Sequence, residues 1–166
     1  MVSSAAGGLA DSLSTAILDS EDPDTVRAAL PAYMLLIDGL LADEPEDPAM
    51  LRAAATLYGA FGSNFVDDPA RAARLQERSL ELALDAECAA DRDACDLRSR
   101  DFDEFETWVG AREDVDALYV LGSNWAAYVR SHSEDWNAVA ELARVRALFE
   151  RILVLDEGVE QGAAHI

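Results

Sequence analysis

Lysine is absent from this chain, histidine and cysteine occur twice each, and no apolar run approaches the ~20 residues that span a bilayer as a helix. Each shortage excludes something. With only His132 and His165, there is almost nothing from which to build a His-carboxylate catalytic cluster. Gly-rich phosphate loops, His-Glu-x-x-His, Gly-x-Ser-x-Gly and paired-cysteine zinc signatures are all missing. The chain is therefore expected not to be an enzyme, and no cofactor or metal is implied. His132 stands beside Glu134 and Asp135, which would suit a cation, but a histidine near a helix end more commonly caps carbonyls.

Positive charge is also scarce. Thirteen basic residues, all Arg, face 33 acidic ones, for a formal net charge of −20. Such a surface repels DNA, RNA and anionic membranes, so nucleic acid is not an expected partner. The N-terminus lacks the charged start and apolar stretch of a secretory signal, and Met1 to Gly8 reads as a mature or trimmed start. The compartment is left for the cysteines to indicate.

Cys88 and Cys95 are separated by Ala-Ala-Asp-Arg-Asp-Ala, a spacing that fits no common zinc pattern. A disulfide or two free thiols remain. On one continuous helix the two residues would rise roughly 10 Å apart, too far for a bridge. A disulfide therefore needs the helix to stop between them, and Asp91-Arg92-Asp93 is a suitable place. The bridge is the favoured reading, and it points to an oxidising compartment.

What is present is ordinary globular material: 166 residues, 51% hydrophobic and 28% charged, enough for one domain with a real core. Helical periodicity runs through it. Leu9 to Leu18 can form a short amphipathic helix, and Asp24 starts a second helix that Pro31 interrupts. Tyr33 to Leu41 is apolar almost all round, which on a helix means burial between neighbours. Asp38 lies inside that run, so its carboxylate must find an Arg or backbone donors. Further helices are predicted over about 49–64, from Asp68-Pro69 to about Glu87 with Ala72, Leu75, Ser79, Leu82 and Ala83 on one face, and from Glu113 to Arg130. Phe102, Phe105, Trp108 and Val109 suggest one or two helical turns with an aromatic edge. The carboxylates at 43–47 and 101–106 lack the ligand order of a calcium loop and read as solvated turns and helix starts.

Leu118-x-x-Leu121-Gly122-x-x-Trp125, followed by Val145-x-x-x-Phe149-x-x-Ile152, reads as the two helices of one degenerate tetratricopeptide repeat. Gly122 would let the partner helix come close, with Trp125 and Phe149 filling the groove between them. Val145 and Ile152 stand where small residues are usual, and the surplus from Ser131 to Arg144 should form an embellishment. Helices 49–64 and 68–87 repeat the pattern more weakly. Leu57-Tyr58 with Gly62-Ser63-Asn64-Phe65 is partly echoed by Leu118-Tyr119 with Gly122-Ser123-Asn124-Trp125, as expected of small residues at two close helix crossings. The aromatic set Tyr58, Phe61, Phe65, Tyr119, Trp125, Tyr128 and Trp136 supplies the candidate ligand-binding or partner-binding residues. Most are core by default, while Trp136 in the surplus segment would be a lid over the cluster or a pocket wall.

Ordered blocks along the chain, among them Leu35-Leu36-Ile37-Asp38-Gly39-Leu40-Leu41, Ala53-Ala54-Ala55-Thr56-Leu57-Tyr58-Gly59-Ala60-Phe61, Phe65-Val66-Asp67-Asp68-Pro69-Ala70-Arg71-Ala72, Asp135-Trp136-Asn137-Ala138 and Gly162-Ala163-Ala164-His165, resemble the T-component (TatT) family of TRAP transporters. The likeness runs from about residue 24 to the end. It implies an all-α, right-handed solenoid of stacked antiparallel helix hairpins, degenerate tetratricopeptide-like in kind. It also implies a non-catalytic periplasmic protein, often lipid-anchored and homo-oligomeric. Such a protein associates with the solute-binding P-component of a TRAP uptake system and hands on a small organic or apolar ligand through a pocket or channel. Family members continue beyond the Gly-Ala-x-His block, so residues 1–166 are expected to form one helical domain equivalent to the front portion of a longer fold. The lipid-anchoring motif is missing from the chain. The alternative to a transport role is a general tetratricopeptide scaffold that grips a protein or peptide.

Overall fold

Asp22-Pro23, Asp47-Pro48 and Asp68-Pro69 each open a helix in the computed structural model, which describes residues 22–155. The cause is local. Each Asp carboxylate accepts hydrogen bonds from backbone N–H groups one turn into the helix, as Asp47 does from Ala49 and Met50 at 2.9 and 3.1 Å. Each Pro occupies the first helical position, where its missing N–H costs nothing. The helices that follow are α1 (Pro23–Asp43), α2 (Pro48–Asn64) and α3 (Pro69–Ala90). A 3₁₀ turn (Arg92–Ala94) leads to α4 (Phe102–Gly110), α5 (Val115–Ser131), α6 (Trp136–Ala140) and α7 (Leu142–Leu155). Asp101, Asp114 and Asp135 cap α4, α5 and α6 in the same way. Among the described residues there is no strand, and the fold is all-α. The proposed helix at Leu9–Leu18 and the block at 162–165 lie outside the described residues.

The main helices pack in chain order. α2 and α3 form the closest pair, α3 then packs on α5, and α5 on α7, with α1 laid against α2 and α4 against α7. Ala54, Ala55, Phe61, Leu80, Leu82, Ala83, Leu121, Trp125, Leu148 and Ile152 fill the continuous core between them. Two glycines set how near the paired helices come. A Cβ at Gly62 would lie 2.7 Å from Gln76 Nε2 and 3.0 Å from Leu75 Cβ on α3, and one at Gly122 would lie 3.3 Å from Phe149 Cε2 on α7. The partial echo in the sequence thus occupies like positions in two helix pairs. Gly59 is tighter still, because a Cβ there would collide with Asn124 Oδ1 of α5.

Several expectations need correction. Pro31 does not interrupt its helix, since α1 runs through it. The carbonyl that Pro31 cannot engage belongs to Arg27, an exposed residue of the helix. The apolar run in α1 is not buried all round. Val26, Leu30, Met34, Ile37 and Leu41 form one buried stripe, whereas Tyr33, Leu35 and Leu36 face outward. By length and composition α1 is apolar enough to cross a membrane, with a mean hydropathy of 1.4, because Asp38 dilutes that average only slightly. Its buried stripe against the domain is equally what a core helix requires. Finally, Trp125 and Phe149 do not fill one groove together. Phe149 meets Tyr119 edge-on at 6.3 Å and covers Gly122, while Trp125 meets Phe105 of α4 edge-on at 5.8 Å. The indole is thus held by Phe105 of α4 and by Glu141 at the start of α7.

α3 ends at Ala90 because Asp91 adopts an extended backbone (φ −145°, ψ 113°). That break turns the chain back and lets Cys88 and Cys95 bridge, with their Cα atoms 4.3 Å apart. Arginines hold the segment around the bridge. Arg112 Nη1 reaches Asp91 Oδ2 at 2.9 Å, and Arg100 pairs with Asp93 and Asp96.

Two outcomes follow from this packing. Gly59→Ala is expected to destabilise the fold by about 1–3 kcal/mol through overpacking, whereas Gly39→Ala, with open space at its Cβ, is expected to stabilise α1 by about 0.5–1 kcal/mol. Urea denaturation of both variants checks the contrast. The Cys88–Cys95 bridge closes so short a loop that reducing it should cost only ~2–3 kcal/mol, with the helical circular dichroism retained at 25 °C.

Candidate functional site

The seven aromatic residues singled out in the sequence do not converge on one pocket. Phe61 and Phe65 stack at 6.3 Å near the end of α2, with Arg71 over the first ring and Arg27 over the second. Tyr119 packs on Phe149. Trp125 is wholly buried, and Tyr128 nearly so. Trp136 is 85% exposed, so it is neither a lid over the others nor a buried wall. It occupies the first position of α6, and the turn after Asp135 carries it out into solvent. Leu142, at the first position of α7, is half exposed as well.

Two polar constellations line grooves instead. The first lies between α1, the turn that follows it, and α3. Tyr58 donates its hydroxyl proton to Asp38 Oδ2 at 2.6 Å, which supplies the partner that a carboxylate in an apolar run requires. Burial, and then the hydrogen bond and charge of Asp38, push the Tyr58 phenol up to about 12. Beside them, Asp38, Leu41, Ala42, Pro45, Leu51, Arg78, Leu82 and Asp85 enclose a groove of about 380 Å³. Burial raises the Asp85 carboxyl above the usual range, against the opposing pull of Arg78. The groove is thus amphipathic, lined by three leucines, two carboxylates and one guanidinium.

The second constellation joins α5, the loop after the disulfide, and the junction of α6 with α7. A buried indole needs an acceptor, and Trp125 Nε1 finds Glu141 Oε2 at 2.6 Å. The other carboxylate oxygen accepts from Nε and Nη2 of Arg98, both at 3.3 Å. The Arg98 guanidinium lies over the Tyr128 ring at 4.4 Å, and that ring stacks on His132 at 4.3 Å. His132 caps the end of α5, with Nδ1 3.0 Å from the Tyr128 carbonyl oxygen. Among the described residues no group of three or more His, Cys, Asp or Glu side chains is arranged to hold a metal. Leu84, Ala94, Cys95, Leu97, Arg98, Ser99 and Glu141 border a groove of about 350 Å³ beside this network, so the disulfide-closed loop forms one of its walls. Arg98 and Glu141 carried no signal in the sequence, where they lie far apart and belong to no motif. Only the fold brings them together.

The Asp38–Tyr58 bond has a testable pH dependence. A phenol whose folded pKa exceeds its unfolded value contributes stability that is full below about pH 10 and is lost as pH rises through the folded value. Tyr58→Phe is therefore expected to cost about 1 kcal/mol at neutral pH, the worth of one hydrogen bond. The two denaturation curves should converge as the pH approaches 12, where the wild-type phenol ionises.

No curated protein and no solved structure matches this chain. A family model does. The model described as TRAP transporter T-component matches residues 19–166, which include both grooves and every described helix. The chain belongs to the TRAP transporter T-component family.

Proposed function

We propose that this protein is a periplasmic, non-catalytic accessory of a TRAP-type uptake system that binds the solute-binding P-component and helps to guide a small organic or apolar ligand. Membership of the T-component family, a family of transport accessories, carries the reading. The architecture supports it. Consecutive helix pairs α2/α3 and α5/α7, each drawn together at a glycine and joined through α3 against α5, suit a tetratricopeptide-like right-handed solenoid, a form that grips other proteins. The Cys88–Cys95 bridge suits an oxidising compartment such as the periplasm. Exposed Trp136 and Leu142 are the kind of apolar anchors that protein interfaces bury, so we assign them to the P-component contact. The two grooves, with apolar walls and a few charged groups, are the proposed ligand-contacting surfaces. Of the aromatic set, Tyr58 adjoins the first groove through Asp38, and Trp125 and Tyr128 adjoin the second through Glu141 and Arg98. Self-association into a homo-oligomer, as the family resemblance implies, is part of the same reading, with any lipid anchor supplied outside this sequence.

The test is binding of the purified chain to the TRAP solute-binding protein encoded beside it, followed by calorimetry and light scattering. A complex is expected, and Trp136→Ala should weaken it by about tenfold or more, as loss of an aromatic anchor does. Its melting temperature should not change, because so exposed a side chain contributes little to the fold. A chain that ignores the solute-binding protein yet captures unrelated peptides would be a general scaffold instead.

A further inference from the structure

The Cys88–Cys95 bridge closes only a short loop, yet that loop bounds the second groove. Cys88 lies in the last turn of α3 and Cys95 directly after the 3₁₀ turn, so the bridge ties the segment that follows back to the helix end. Three residues on, this segment delivers Arg98, whose Nε and Nη2 both meet Glu141 Oε1 at 3.3 Å. Glu141 Oε2 in turn accepts from Trp125 Nε1 at 2.6 Å. The Glu141 side chain is only 19% exposed, and Arg98 is the guanidinium that balances its charge. The other ties of the segment are the buried side chains of Ala94 and Leu97, a hydrogen bond from Arg144 to the Arg100 carbonyl, and the ion pairs of Arg92 and Arg112. None of those is covalent.

We propose that the bridge is a redox latch on the second groove: reduction by a dithiol frees the segment after Cys95, releases Arg98 from Glu141 and opens the groove on that side. Cys95 is exposed and borders the groove, whereas Cys88 is half-buried, so attack falls on the Cys95 sulfur. A thiolate of the reductant bonds to Cys95 Sγ, the bond between the two cysteine sulfurs breaks, and Cys88 leaves as a thiolate that takes up a proton. The reductant's second thiolate then attacks the mixed disulfide, and Cys95 leaves and is protonated in the same way. Two electrons and two protons pass to the protein, and the dithiol becomes a disulfide. Without its covalent tie the segment opens locally more often. Each opening leaves Glu141 a half-buried carboxylate without its counter-charge, which favours its turning to water. Trp125 then loses its acceptor, so the state of a surface bridge is felt at an indole buried in the core. This inference does not depend on the transport reading, because it concerns how the groove opens and not what it takes.

Deuterium exchange of the indole N–H protons tests it, followed by nitrogen–proton NMR of the full chain before and after dithiothreitol. Trp108→Phe and Trp136→Phe assign the signals. Trp108 is the internal control, since its Nε1 is buried with no hydrogen-bond partner among the described residues and reports any general loosening of the core. Reduction is expected to speed exchange at Trp125 by about tenfold or more, as loss of a local closing constraint does, and to leave Trp108 unchanged. Arg98→Ala in the oxidised protein should give Trp125 the same fast exchange, and reduction should then add nothing. A bridge that dithiothreitol cannot cleave in the folded protein, judged by thiol alkylation, would overturn the proposal. So would exchange at Trp125 that reduction leaves unchanged, or an equal rise at Trp108, which would make the bridge a staple of the whole core. Further acceleration on reducing the Arg98→Ala protein would show that the bridge acts other than through Arg98, and would overturn it as well.

Discussion

The three-helix crossing at Gly59 is the constraint on which the remaining geometry depends. There the backbone of α2 comes so near α5 that the side chain of Asn124 occupies the space a Cβ would need, while Ser79 of α3 stands on the other side. Gln76, almost fully buried, donates to the Gly59 carbonyl at 3.1 Å and to Ser63 Oγ at 3.0 Å. Asn124 in turn donates to the Val120 carbonyl at 2.8 Å. Buried amides cost free energy unless they are bonded, so the Gln76 bonds fix the register of α3 on α2, while Asn124, satisfied within its own helix, meets α2 by close contact at Gly59.

The acidic composition also has a structural explanation. Asp22, Asp47, Asp68, Asp101, Asp114 and Asp135 each accept backbone hydrogen bonds at a helix start. A carboxylate there is favoured by both the unpaired N–H groups and the helix dipole, each cap contributing about 1 kcal/mol. Others pair with arginines across elements, as Glu46 does with Arg92 at 2.8 Å and Asp91 with Arg112. These exposed pairs add little stability individually.

How far the sequence revealed the structure depended on whether the signal was local. Helix starts at Asp-Pro pairs, the stop between the cysteines and the glycine crossings were legible because each has a cause within a few residues. Pro31 misled because the cost of an interior proline depends on whether its orphaned carbonyl reaches water, which sequence does not show. Trp125 misled for a tertiary reason. The repeat pattern pairs it with Phe149, yet the residues between α3 and α5 fold into α4 and put Phe105 against the indole. The candidate site was the least legible part. An aromatic set chosen by type is spread over several separate contacts, with Trp136 in solvent, whereas Arg98 and Glu141, which border a groove, meet only after the chain has turned several times.

Every cation in this framework is a guanidinium, and several lie flat on rings: Arg98 on Tyr128, Arg112 on Trp108, Arg144 on Phe105. Enzymatic or chemical acylation of amino groups, which would strip charge from a lysine-bearing surface, finds no side chain here to modify. The clamps that join the helices are therefore chemically inert to one of the commonest covalent routes by which a protein's charge is altered.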